Sequence, residues 1–188
     1  CGLSGATCAR LLAEKGQRIL MVEKRSHIGG NVYDCYNEDG ILVHMYGPHI
    51  FHTKEKLVWE FLSKFTKWRL YQHRVLAYVD GMYLPMPINL DTINMMYGTD
   101  YDHKSIKDFF DQVREEREEV CNAEDMVISK VGRELYEKFF LGYTQKQWGL
   151  APQELEKEVT ARIPIRHNRD NRYFTDPYQG IPQHGYTK

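Results

Sequence analysis

The chain has 188 residues, a formal net charge of −1, 42% hydrophobic and 27% charged residues, which suits one globular domain or one domain with a small partner. No excess of Lys and Arg exists to neutralise phosphates, and no run approaches the ~20 apolar residues of a membrane span, so a nucleic-acid partner and a transmembrane protein are excluded. Cys1, Cys8, Cys35 and Cys121 form neither a C-x-x-C pair nor a zinc spacing, so no metal is expected and reduced thiols of a cytoplasmic protein are the simple expectation.

The chain opens without an initiator Met, already inside a loop-to-helix transition, so it is expected to begin partway into a longer protein. Good helix formers over residues 3–16, with Gly16 as a cap, predict a helix. Arg18 to Glu23 is a short apolar run with polar ends, the pattern of a buried parallel strand. A second strand is predicted at 41–46 and a helix from Lys54 to about Lys67. Arg74 to Leu84 alternates around Asp80-Gly81, a hairpin signal, and Pro85 and Pro87 break the chain after it. Helices are predicted over 90–97, 104–120 and 123–141. The middle one carries the charge run Arg114 to Glu119, taken as a solvated helix face. From Arg162 on, Arg, Asn, Tyr and Pro mix without period, as in binding segments laid over a scaffold. The order predicts an α/β fold: an incomplete Rossmann-like dinucleotide-binding part over 1–75, a mainly helical insertion over 76–160, and the start of a substrate-binding antiparallel sheet region over 161–188.

Cys1-Gly2-Leu3-Ser4-Gly5 fits the last five positions of G-x-G-x-x-G. Gly2 would let backbone approach a pyrophosphate, Gly5 would let helix pack on strand, and the helix N-terminus offers N–H groups and partial positive charge. Glu23 ends the next predicted strand about 20 residues on, where a carboxylate accepts from a ribose 2′-OH and repels a 2′-phosphate. Lys24, Arg25, Gly29, Gly30 and Asn31 come after it. An acid, an Arg two residues later and a Gly pair form the pattern of FAD enzymes with a second glycine site, and NAD is the residual cofactor.

Three further segments carry a resemblance: His44-Met45-Tyr46-Gly47-Pro48-His49-Ile50-Phe51-His52-Thr53, Gly142-Tyr143-Thr144-Gln145-Lys146-Gln147-Trp148-Gly149, and Arg162-Ile163-Pro164-Ile165-Arg166 continuing through Tyr173-Phe174 to Tyr178-Gln179-Gly180-Ile181-Pro182. In this order they resemble the bacterial UDP-galactopyranose mutases, over the whole chain and ending in mid-domain. The resemblance implies an isomerase that interconverts UDP-galactopyranose and UDP-galactofuranose for galactofuranose-containing cell-surface glycans. It implies FAD, active in its reduced form, with the flavin as nucleophile. It places His49 and Ile50 beside the isoalloxazine, with His52 a weaker candidate and His44 structural. It gives Arg162 to the diphosphate, where a guanidinium fork matches phosphate oxygens. Phe139, Phe140, Tyr143 and Thr144 would line the uridine site, Trp148 would sit in a loop beside the sugar, and Tyr173 and Phe174 would contact the nucleotide. His49, Arg162 and Trp148 are thus the catalytic candidates. The family's second diphosphate arginine would lie beyond Lys188, and the oligomeric state, a homodimer included, stays open.

Two alternatives remain. A flavin oxidoreductase of the amine-oxidase or desaturase type shares the Glu23 and Gly29-Gly30 features without needing Arg162 for a diphosphate. The 188 residues by themselves are also expected to be inactive, as a fragment that exposes an apolar sheet edge.

Overall fold

Most of the apolar burial falls in the middle of the chain, and the fold reflects that distribution. In the computed structural model, which describes residues 1–188, the chain forms two compact units. The first joins 1–72 to 174–188 and the second is 73–173.

The second unit holds the hydrophobic core. Strands β5 (Val75–Val79) and β6 (Met82–Met86) form the antiparallel hairpin that Asp80-Gly81 foretold. Both turn residues take positive φ, as the tight turn requires. Alternation sends Val79, Leu84 and Met86 inward and leaves Leu76, Tyr78 and Tyr83 exposed. Pro85 does not end the hairpin. It pairs with Leu76 inside β6, since a two-stranded ribbon leaves an outer edge for a residue that cannot donate.

Helix α3 (Leu90–Tyr97) has the predicted bounds. Asn89 caps it: its side chain accepts from the Thr92 N–H at 3.0 Å, while the Asn89 N–H donates back to the Thr92 hydroxyl at 3.0 Å. A cap of this kind is worth ~1 kcal/mol. Gly98 in the left-handed region ends the helix.

Helix α4 (Ser105–Val113) is shorter than its expected range of 104–120. The charge run Arg114 to Glu119 is not a helix face at all. Arg114 turns to extended geometry, the Glu115 N–H donates to the Ile128 carbonyl at 3.2 Å, and Arg117 and Arg133 pair with nearby carboxylates. Six charges in a row offer no apolar face to hold another turn, whereas cross-chain hydrogen bonds and ion pairs hold the segment extended.

Helix α5 (Ala123–Tyr136) carries a kink at Gly132, whose φ is +79°. A Cβ there would overlap the Val113 carbonyl, so glycine lets the end of α4 approach the backbone of α5. A π turn (Glu137–Leu141) leads into α6 (Gly142–Trp148). A short helix, α7 (Glu158–Ala161), anchors through the Thr160 hydroxyl, which donates to the Ala123 carbonyl at 2.9 Å.

In the first unit, α1 (Leu3–Glu14) forms as expected, and Gly16 has positive φ just beyond its end. Residues 18–23 do not form the expected buried strand. No other segment of this chain pairs with them, and Leu20 is 88% exposed. An apolar run becomes a strand only when a ladder satisfies its backbone. Strands β1 (Asp34–Tyr36) and β2 (Leu42–His44) form one antiparallel pair. Strands β3 (Phe51–Thr53) and β4 (Trp68–Leu70) flank β7 (Tyr178–Pro182) in an antiparallel sheet. Helix α2 (Lys56–Leu62) lies between β3 and β4 in sequence, inside the expected range of 54–67. Its Trp59 stacks on Trp68 at 4.5 Å between centroids, with Phe51 and Tyr178 alongside. No helix is long and apolar enough to cross a membrane.

Candidate functional site

In the first unit the two glycine segments meet. Gly2 is the N-cap of α1 and has extended geometry, and no side chain caps the helix. The opening N–H groups of Leu3, Ser4 and Gly5 therefore face whatever sits beyond the N-terminus. The Gly29 N–H donates to the Cys1 carbonyl at 2.9 Å, and Gly2 and Gly29 form a parallel bridge. Gly29 and Gly30 both take positive φ.

Glu23 stands at the same place. Its carboxylate accepts from the Arg25 N–H at 3.0 Å. That bond holds its pKa below the usual carboxylate range. Lys24 is exposed. The Arg25 guanidinium donates to Asn31 at 2.9 Å and lies 4.7 Å from the centre of the Tyr46 ring. His27 links the same group: it stacks on Tyr33 and lies 2.8 Å from the Tyr46 hydroxyl.

This arrangement fits a dinucleotide. Glycine backbones meet at the uncapped N-terminus of α1, where free N–H groups can meet a pyrophosphate.

His49 and Ile50 are half-buried just before β3. The His49 N–H donates to His44 Nδ1 at 2.9 Å, and its ring Nδ1 lies 2.8 Å from the Gly47 carbonyl. His52, the weaker candidate, is the more elaborately held. Its Nδ1 meets the Asp176 carboxylate at 2.8 Å, and Phe174 stacks on its ring at 3.7 Å. Phe174 thus stands in the first unit, flat against an imidazole.

The remaining candidates lie in the second unit. Phe139, Phe140 and Thr144 are buried, Phe140 almost wholly so among Ile128, Leu135 and their neighbours. Tyr143 and Trp148 are half exposed on α6. Trp148 is the last residue of that helix and not a loop residue. Gly149 in the left-handed region caps it.

The Arg162 side chain bonds only the Val159 carbonyl, through Nε at 3.1 Å, and no carboxylate pairs with it. Its fork is therefore available to an anion. Tyr173 donates its N–H to the His73 carbonyl at 2.7 Å. Burial raises the Tyr173 pKa, Tyr143 adds to the rise, and Arg162 opposes it. Tyr143 and Arg162 thus each lie within electrostatic reach of Tyr173.

Sequence reasoning missed Asp34, Tyr186 and Thr187. Asp34 is buried in β1 and accepts from both Tyr186 and Thr187 N–H groups. An acid inside Tyr33-Asp34-Cys35 belongs to no motif, and its donors lie 152 and 153 residues away.

Residues 138–188 match the family model described as UDP-galactopyranose mutase, and residues 1–65 match that of an NAD(P)-binding Rossmann-like domain. A dTDP-fucopyranose mutase of Escherichia coli is 43% identical over 99% of this chain and 50% of its own length. A probable UDP-galactopyranose mutase of Klebsiella pneumoniae is 39% identical over 100% of this chain and 49% of its own. The UDP-galactopyranose mutase of Mycoplasma pneumoniae is 33% identical over 100% and 49%. A crystal structure of reduced UDP-galactopyranose mutase superposes with a TM-score of 0.74 at 20% identity, over 99% of this chain and 43% of that one. The chain spans about half the length of the curated relatives it matches.

Proposed function

We propose, for a chain that is a relative of the UDP-galactopyranose mutases along its whole length, that its parent protein interconverts UDP-galactopyranose and UDP-galactofuranose with FAD as cofactor. The observation that carries this is the match of this whole chain to half of named mutases, joined to a dinucleotide cradle in one unit and, in the other, an arginine that no carboxylate pairs, within electrostatic reach of Tyr173. Reduced FAD, when bound, would supply the nucleophile for the anomeric carbon.

The chain's own residues then divide the work. The N–H groups of Leu3, Ser4 and Gly5 hold the pyrophosphate, and Gly2, Gly29 and Gly30 let backbone approach it. Glu23 takes the ribose hydroxyls, and Arg25 with Asn31 keeps the loop after Glu23 in place. His49 and Ile50 border the ring system. Arg162 grips the diphosphate and steadies UDP as it leaves, a charge-assisted contact worth ~1.5–3 kcal/mol. Tyr143, Tyr173 and Trp148 bind nucleotide and sugar through flat faces and hydroxyls. Phe139, Phe140 and Thr144 back that surface.

One relative, 43% identical, is named for dTDP-fucopyranose, and this supports a second reading in which the sugar is a 6-deoxyhexose on a thymidine nucleotide. The experiment is one assay with two substrates. Dithionite-reduced parent protein is incubated with UDP-galactofuranose or dTDP-fucofuranose, and the products are separated by chromatography. Pyranose formed from the first alone supports the leading reading, and from the second alone the other. Oxidation without a change of ring size would sink both.

A further inference from the structure

We propose that Asp34 is a positioning residue for the dinucleotide site, and that residues 185–187 are a third segment of that site, clamped by its carboxylate. The proposal rests on the dinucleotide reading and extends it to residues that no glycine motif contains.

Asp34 is 4% exposed. One carboxylate oxygen accepts from the Tyr186 N–H at 2.7 Å, and the other from the Thr187 N–H at 3.1 Å and from the Thr187 hydroxyl. Two neighbouring backbone donors and a hydroxyl satisfy a buried charge, which would otherwise be costly. Glycine at 185 permits the approach: its φ is +91°, and a Cβ there would stand 2.5 Å from the carboxylate.

The clamp reaches both cofactor loops. The Thr187 methyl fills the space over Gly29, so that a Cβ on Gly29 would overlap it. Gly29 in turn bonds Cys1 and bridges to Gly2. On the other side, the Tyr186 hydroxyl donates to the His49 carbonyl at 3.1 Å, and its ring meets His44 edge-on at 5.8 Å. From Asp34, therefore, Thr187 leads to the glycine pair and Tyr186 leads to His49. A carboxylate that only tied down residues 185–188 would need neither contact.

The test uses the parent protein with Asp34→Asn, Thr187→Val and Thr187→Ser. Hydrogen exchange on the ligand-free protein tracks peptides covering 28–33 and 46–50. Asp34→Asn should speed exchange at both loops by about tenfold or more, and Thr187→Val, which loses the hydroxyl, and Thr187→Ser, which loses the methyl over Gly29, should each speed it at 28–33. The β5–β6 hairpin should not change in any variant. Titration with FAD should show affinity weakened by all three, most by Asp34→Asn at about tenfold. If Asp34→Asn unfolds the first unit, the Val and Ser pair decides. Faster exchange confined to 185–188, or an unchanged 28–33 in both Thr187 variants, overturns the proposal. Altered loops in a chain that binds no FAD in any form uphold the clamp and overturn the dinucleotide reading instead.

Discussion

Gly30 lies so close to Gly2 that a Cβ on Gly30 would stand 2.9 Å from the Gly2 Cα. The contact is backbone on backbone, so neither side can yield cheaply. It is also asymmetric: a Cβ on Gly2 would find its nearest neighbour at 3.8 Å, an ordinary separation. Gly30 has φ +60° as well, which costs a residue with a side chain about 1 kcal/mol.

Gly30→Ala should therefore weaken both the first unit and dinucleotide binding, with a stability loss of about 1–3 kcal/mol. Gly2→Ala should cost well under that in stability. Urea unfolding monitored by tryptophan fluorescence checks the first unit, where Trp59 and Trp68 stack. Equal losses for the two substitutions would show that the crossing is not close in solution.

Arg162→Ala should cost nucleotide affinity in the parent protein and leave the fold alone. The guanidinium is exposed and meets no carboxylate, so its removal strands no partner. Losing one charge-assisted contact predicts UDP binding weaker by roughly 10- to 150-fold, about 1.5–3 kcal/mol. Arg162→Lys should recover part of this, since an ammonium keeps the charge but not the fork. Calorimetric titration with UDP measures both. A UDP affinity unchanged in Arg162→Ala would remove Arg162 from the diphosphate site.

One ion-paired carboxylate adds to the acid side of the stability curve. Asp170 is held down at about 2, first by its bidentate pair with Arg172 and then, against some burial, by the Arg172 N–H and the Arg166 charge. Its folded pKa is below its unfolded value of 3.8. Its stabilising contribution is thus fully present above pH 3.8 and is lost as pH falls toward 2. Asp170→Asn should flatten the pH dependence of the second unit between pH 4 and 2. Melting curves by circular dichroism over that range decide, and an unaltered slope in Asp170→Asn would show that the ion pair does not hold in solution.

What the sequence revealed was local, and what it hid was remote. The hairpin at Asp80-Gly81, the bounds of α3 and the helix behind Gly2 are all set by residues within a few positions of one another. The glycine segments were legible because their spacing carries their chemistry. At 18–23 the apolar run was legible, but a strand also needs a partner, and no other segment of these 188 residues pairs with it. The Arg114 to Glu119 run misled because no residue in it marks a helix end. The stop is set by contacts of Val113 with Gly132 and of Glu115 with Ile128. Asp34 was invisible because its meaning lies wholly in residues 185–187.

That helix end supplies the sharpest stability test. Gly132 sits inside α5 with a φ that only glycine adopts easily, and a Cβ there would overlap the carbonyl of Val113. Most glycines within a helix are improved by alanine, which has the higher helix propensity by about 1 kcal/mol. Here the sign should reverse. Alanine must either take a left-handed conformation against a backbone carbonyl or straighten the kink. Straightening would push α4 away and open the packing around Phe110, Val127 and Val131. The cost of overpacking and strain together should be about 3 kcal/mol or more, confined to the second unit. Gly142→Ala serves as the control, since Gly142 is helical and a Cβ there meets nothing within 4 Å. It should leave stability unchanged or raise it slightly. Thermal unfolding of the two variants side by side checks the pair, and a stabilised Gly132→Ala would mean that the kink in α5 is not part of the native fold.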